Sequence, residues 1–256
     1  MRTILITSIA FLAFAFHGVA QDAREISDKS SKVIEFEAME MATNLYIYDN
    51  KGNSRERQVA VATRKFGDVT KTLMRFLSPA DVQGTSILIY DYEDKADDMW
   101  VYLPSMRRTR RIVTTEKGKS FMGSEFTNAD MSRPNLDDFT YTLLGEETIN
   151  GKICWKVEAL TKSREMESEY GFKRRVSYIE KSTYLIQKSE LYDRTDKLNK
   201  VMTLGDYRKQ SNGLYFSYQM EMKNVQSNRR SEMKVKSFQL GSKLNENSFA
   251  VSSLEK

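Results

Sequence analysis

Leu214-Tyr-Phe-Ser-Tyr-Gln-Met-Glu-Met-Lys223 alternates: Leu214, Phe216, Tyr218, Met220 and Met222 fall on one side, and Ser217, Gln219, Glu221 and Lys223 on the other. A period of two is that of an extended strand with one face buried and one wet. Ile153, Trp155, Val157 and Ala159 repeat it against Lys156 and Glu158. Outward from these two, strands are predicted at about 35–48, 55–66, 69–77, 85–92, 98–104, 107–113, 139–146, 172–180, 184–192, 198–209 and 229–240. Turn chemistry separates many of them, at Asp49–Asn53, Asn150-Gly151, Asn212-Gly213 and the Ser78-Pro79 corner. Turns of this kind join antiparallel neighbours, so the chain is expected to be mainly β, with one large meandering antiparallel sheet. Its three prolines all fall between strands, as that requires.

One helix is expected before the sheet, over residues 21–33. Asp22 is placed to cap it, Glu25 occupies the capping-box position, and Ala23, Ile26, Ser30 and Val33 share a face. With no internal repeat and no linker, residues 21–256 read as a single domain. Several strands are apolar on both sides. In Met99-Trp-Val-Tyr-Leu-Pro104 the set Met99, Val101, Leu103 opposes Trp100 and Tyr102, and Ile87 and Ile89 oppose Leu88 and Tyr90. Such strands need an apolar neighbour on each face, such as a helix on one and a core or cavity on the other. A curved sheet wrapped around the short helix meets that need.

Residues 1–20 carry Arg2, a predominantly apolar run from Ile4 to Phe16, and small residues Gly18 and Ala20 ahead of Gln21. This is the pattern of a cleaved secretory signal. The run is short of the about 20 residues that cross a bilayer, and no later run approaches that length, so no membrane-spanning segment is expected. No cysteine stands at the cleavage point to carry a lipid. The chain has one histidine, His17, inside that segment, and one cysteine, Cys154. Residues 21–256 therefore hold no Ser-His-Asp or Cys-His pair and no histidine-ligated zinc. Cys154 has no disulfide partner and sits in an alternating strand, where a buried, inert thiol is expected.

The charge is uneven. The formal net charge is +5, and Ser105–Ser120 holds Arg107, Arg108, Arg110, Arg111, Lys117 and Lys119 against Glu116. Upstream, Asp91, Glu93, Asp94, Asp97 and Asp98 stand against Lys95. The two stretches either neutralise one another across a hairpin, or the arginines receive phosphate or carboxylate head groups or an acidic protein surface. Nucleic acid does not suit a secreted chain so balanced elsewhere. The acidic run lacks the order of a calcium loop, and Gly118-Lys119-Ser120 lacks the first glycine of a phosphate-binding loop. Ser124 lacks the flanking glycines of a nucleophile elbow. Adjacent acids such as Asp137-Asp138 and Glu146-Glu147 point to opposite faces of a strand, which does not suit a glycosidase pair. No metal, cofactor or catalytic residue is expected. Met39, Met41, Met74, Met99, Met220, Met222 and Met233 lie on predicted strands. Flexible thioethers fill ordinary cores and equally suit a surface that repacks around varied apolar guests.

Met99-Trp-Val-Tyr-Leu-Pro-Ser-Met-Arg-Arg-Thr-Arg-Arg-Ile112, followed by Ser120-Phe-Met-Gly-Ser-Glu-Phe-Thr-Asn-Ala-Asp-Met131, resembles the central signature of the outer-membrane lipoprotein-sorting proteins, relatives of the LolA and LolB fold. From about Phe36 to Ala250 the likeness is looser, one of strand order and length. The resemblance implies an incomplete, strongly curved antiparallel barrel with short helices on its concave face and a hydrophobic cavity for acyl chains between them. It further implies a Gram-negative periplasm, an inner-membrane exporter as donor and an outer-membrane acceptor.

The function expected is thus a periplasmic carrier of lipoprotein or other lipid acyl chains, with no covalent chemistry. An envelope-stress sensor of the same fold, binding a membrane regulator, is the alternative. Met74, Phe76, Leu88, Tyr90, Trp100 and Tyr102 are the expected lining, and Arg107, Arg108, Arg110 and Arg111 the expected head-group or partner contacts. Alternation fixes which residues of a strand share a face, and leaves open which face is concave.

Overall fold

The protein is described by a computed structural model covering residues 23–93 and 95–255. The signal segment read at 1–20, the capping Asp22 and Asp94 lie outside these residues. Residues 23–32 are helical (α1). Thirteen strands follow: β1 (Ala38–Tyr48), β2 (Ser54–Phe66), β3 (Val69–Ser78), β4 (Ser86–Tyr92), β5 (Asp98–Leu103), β6 (Arg108–Ile112), β7 (Phe139–Ile149), β8 (Lys152–Thr161), β9 (Arg174–Glu180), β10 (Ile186–Tyr192), β11 (Leu198–Lys209), β12 (Tyr215–Asn224) and β13 (Arg229–Leu240). Each is one of the segments that alternation predicted. Two short helices, α2 (Thr114–Lys117) and α3 (Arg164–Tyr170), were not predicted. Both are too short to show an amphipathic repeat.

All thirteen strands form one antiparallel, curved and unclosed sheet in the order β6-β5-β4-β3-β2-β1-β13-β12-β11-β10-β9-β8-β7. Tight turns build it as two meanders. Asn150 (φ 50°) and Gly151 (φ 80°) both take the left-handed geometry that a two-residue hairpin needs. The meanders are joined by β1 and β13, with Met41 opposite Phe238 and Leu45 opposite Met233. The sheet edges, β6 and β7, are consecutive in the chain and are linked by residues 113–138, which cross the inner face.

One apolar core lies on that face. It takes Leu45, Val61, Phe76, Ile89 and Met99 from the first meander, Val157, Ile179, Leu191 and Met222 from the second, and Ala23 and Ile26 from α1. Phe121 and Phe126 of the crossing segment complete it. Strands from both sheet edges share this core, which is what curvature achieves.

The second apolar face of β2 to β5 has a different cause from the one expected. Its neighbour is the C-terminal segment, residues 241–255, laid across the outside of the sheet. Phe249 and Leu254 are buried there against Ala62 and Leu88, with Phe66, Leu73, Tyr90, Trp100 and Tyr102 around them. Polar contacts fix the path: Arg64 donates to the Leu244 carbonyl (2.8 Å), Lys71 pairs with Glu246 (2.7 Å), and the Tyr90 hydroxyl donates to the Phe249 carbonyl (2.7 Å). Cys154 is buried in a third, small cluster with Val176 and Tyr178, and burial pushes its thiol pKa up.

Candidate functional site

The inner face has two unlike halves. Over one half, the bridge between Ser120 and Thr127 folds the crossing segment into a short hairpin whose tip enters the core. There Phe121 meets Phe76 with ring centres 6.1 Å apart. A polar collar grips the tip. Arg57 of β2 donates to the Met122 carbonyl, and Lys200 of β11 to the Glu125 carbonyl. The Glu125 amide donates to Ser231 Oγ of β13 (3.0 Å), while its carboxylate accepts from Asn224 of β12 (3.1 Å) and pairs with Arg229 (3.2 Å). Burial holds the Lys200 amine below the usual lysine range. Buried backbone carbonyls need such donors, so the tip is held mainly by polar bonds around a two-ring apolar anchor.

The other half is not fully covered. Met41, Met202 and Met220, with Trp155, Tyr184 and Ile186, pack against the core yet stay partly exposed. Register places them together: Met202 pairs with Met222, Met220 with Met233, and Trp155 with Ile179, all facing inward. The last turn of α1 and the residues just after it form one wall. Lys29 lies over the Tyr184 ring (5.5 Å), and Phe36 packs edge-on to Phe216 and Phe238 at 5.7 and 5.4 Å. An apolar inner face that meets solvent along a row of methionines is suited chemically to a flexible apolar guest. Met41 and Met220 carried a signal in the sequence, through methionine on predicted strands. The partial exposure that singles them out depends on where α1 ends and on the reach of the crossing segment, which alternation does not encode.

The six residues expected to line a cavity do not share a face. Met74 and Phe76 lie in the inner core under the hairpin, whereas Leu88, Tyr90, Trp100 and Tyr102 lie outside beneath the C-terminal segment. Register shows why. Met74, Ile87 and Val101 stand opposite one another along one face, and Leu73, Leu88 and Trp100 along the other. Phase within a strand was legible, but phase between strands depends on register.

The four arginines sit at or just before β6, an edge strand where charge discourages pairing with other chains. Arg111 pairs with Asp98, and Arg110 with Glu116 (2.7 Å). Arg107, at a left-handed turn (φ 47°), and Arg108 form no ion pair among the described residues. Charge pairing thus accounts for two of the four.

Where the crossing segment leaves the core, Arg133 ties it to Asp91 of β4 (3.1 Å) and to Glu35 (2.6 Å). Beside them, burial and then the Asp91 carboxylate push Asp97 up to about 6. Ordinary aspartate titrates near about 4. The folded chain therefore binds this proton more tightly than the unfolded one, and stability falls as pH rises from about 4 to about 6. Asp97→Asn should stabilise the protein at pH 7 by on the order of 2 kcal/mol and leave it unchanged below about pH 4. Urea unfolding at both pH values checks this, and equal gains at both would reject it.

Among the described residues no helix is long and apolar enough to cross a membrane, and no cluster of His, Cys, Asp and Glu has the arrangement of a metal site. Similar proteins place these features. A putative outer-membrane lipoprotein-sorting protein domain from Vibrio parahaemolyticus superposes with a TM-score of 0.85 at 27% identity, covering 93% of this chain and 100% of that one. A DUF1329 family protein from Desulfovibrio piger gives 0.85 at 26% identity, covering 92% and 99%. A LolA superfamily protein from Nitrosomonas europaea shares the fold, with a TM-score of 0.69 at 18% identity over 89% and 97%. No curated protein matches the sequence. A family model described as that of an uncharacterized protein matches residues 68–256; the chain belongs to that family and has a LolA-like fold.

Proposed function

We propose that this chain is a periplasmic carrier that shelters lipid acyl chains against the partly exposed inner face and passes them toward the outer membrane. The observation that supports this most directly is the methionine-rich half of that face, beside a hairpin held mainly by polar bonds. An acyl chain entering between α1 and Met202, Met220 and Trp155 buries methylenes worth about 0.8 kcal/mol each, so a sixteen-carbon chain gains on the order of 10 kcal/mol. Full burial needs more depth than this half offers. The hairpin tip supplies it by withdrawing: bonds such as Arg57 to Met122 exchange for water at about 1 kcal/mol each, and the entering acyl chain takes over the apolar contacts that Phe121 and Phe126 give up. The lipoproteins named by the Vibrio relative are the natural cargo, with an exporter and an acceptor in the two membranes as partners. Arg107 and Arg108 remain available for their acidic surfaces or for head groups.

Native mass spectrometry of protein taken from a Gram-negative periplasm tests the reading. A lipid adduct is expected, and Met202→Asp with Met220→Asp should weaken acyl binding at least about tenfold, since each buries a charge against the chain. Both positions are partly exposed, so the fold should persist. No adduct, or acyl binding unchanged in the double variant, would overturn the proposal. Lipid-free protein that captures the periplasmic domain of a membrane regulator would favour the sensor.

A further inference from the structure

Where the start of the crossing segment meets α3, two adjoining clefts open, of about 510 and 340 Å³. Glu167 and Arg194 line both. The smaller is walled by Arg164, Glu167, Lys173 and Arg194, three cations and one acid, and Lys119 lies on the larger.

Arg164, Lys173 and Arg194 come from three separate places: the start of α3, the residue that precedes β9 by one, and the turn between β10 and β11. Two of the nearby acids are occupied. Asp193 accepts from the Thr195 amide and hydroxyl and from Gln226, which holds its carboxyl far below the usual range. Asp196 is taken by Arg174 at 2.6 Å. Glu167 reaches Arg194 only at 3.8 Å. Arg164 and Lys173 have no ion pair among the described residues. Like charges brought to one concave surface repel one another, and a compact multivalent anion relieves that repulsion while accepting several charge-assisted hydrogen bonds.

We infer that this cleft is a binding site for a phosphate monoester, with Arg164, Lys173 and Arg194 as its donors. A dianion with tetrahedral oxygens matches three cations on different elements better than a planar carboxylate, which one arginine satisfies. The hydroxyls of Thr115, Ser168 and Thr195 on the larger cleft offer polar contacts to whatever the phosphate is attached to. The site shares no residue with the methionine row and does not depend on acyl binding there.

Equilibrium dialysis of the full chain at low salt, with inorganic phosphate, glucose 1-phosphate and phosphatidic acid vesicles as probes, tests the inference. Saturable phosphate binding is expected, reduced about tenfold or more by Arg164→Glu with Lys173→Glu, and left within about twofold by Lys51→Glu with Arg55→Glu, two exposed cations at the turn between β1 and β2 and the start of β2. Tighter binding of glucose 1-phosphate would assign a soluble sugar phosphate. Vesicle binding lost with Arg164→Glu and Lys173→Glu would assign a lipid head group. No saturable binding of any probe, or binding equally weakened by both charge-reversed pairs, would overturn the site.

Discussion

Phe249→Ala is expected to cost about 3–5 kcal/mol of stability, the range for removing a buried aromatic ring, although the residue lies only seven positions from the end of the chain. Phe249 is fully buried. Its ring meets Phe66 edge-on at 5.5 Å, and its carbonyl accepts the Tyr90 hydroxyl, which in turn packs Tyr90 on Trp100 at 5.0 Å. Deleting the ring leaves a cavity over Ala62 and Leu88 and frees the segment that covers them. Trp100 fluorescence should shift to the red on a Trp155→Phe background, which silences the tryptophan on the other face. The unfolding midpoint should fall with it. A loss under about 1 kcal/mol would mean that the outer segment is not held by its aromatic anchor.

Gly118→Ala should be nearly as damaging, for a reason unrelated to backbone freedom. Gly118 has φ −73° and ψ −3°, which alanine adopts without strain. Space is what it lacks: an added Cβ would stand 2.2 Å from the Ser168 carbonyl oxygen and 2.8 Å from the Gly171 nitrogen. These are backbone atoms of α3 and its cap, so α2 and α3 must separate. Their junction also holds the Lys117–Glu169 ion pair (2.6 Å), whose side chains are 5% and 16% exposed. Overpacking of this kind costs about 3 kcal/mol, and parting a buried pair adds to it. Gly52→Ala is the control. It lies at φ 88° with open space around it and should cost only about 1 kcal/mol. Thermal melts of the two variants decide the matter: similar losses would mean that α2 and α3 part without penalty.

The sheet was legible because each strand announces itself locally. Leu214–Lys223 needs no partner to show which side chains are buried. What joins strands was less legible. Residues 241–255 cover an outer face with Phe249 and Leu254 set among polar residues, too irregular for a period to emerge. The hairpin at 120–127 is anchored by Phe121 and Phe126 but held by bonds to backbone atoms, which carry no residue signature. The same limit scattered the expected lining. Tyr90 and Trp100 do face the same way as each other, and Met74 the same way as Phe76, but the register between β3 and β4 puts the two sets on opposite sides. The methionine row was half visible, since its chemistry is in the sequence and its exposure is in the packing.

The pairing of β1 with β13 also bears on how the chain is made. Every other strand pair joins sequence neighbours and closes a short loop, at little entropic cost. This one spans nearly the whole domain, with Met39 opposite Leu240. As synthesis proceeds from the N-terminus, β1 to β6 assemble with β1 as a bare edge, its main-chain groups unpaired until the last strand arrives. That interval is when the nascent chain is most open to pairing with another copy of itself. The domain thus depends on the timely delivery of its final residues, and a chain truncated before β13 would be left with two half-sheets, each exposing an edge.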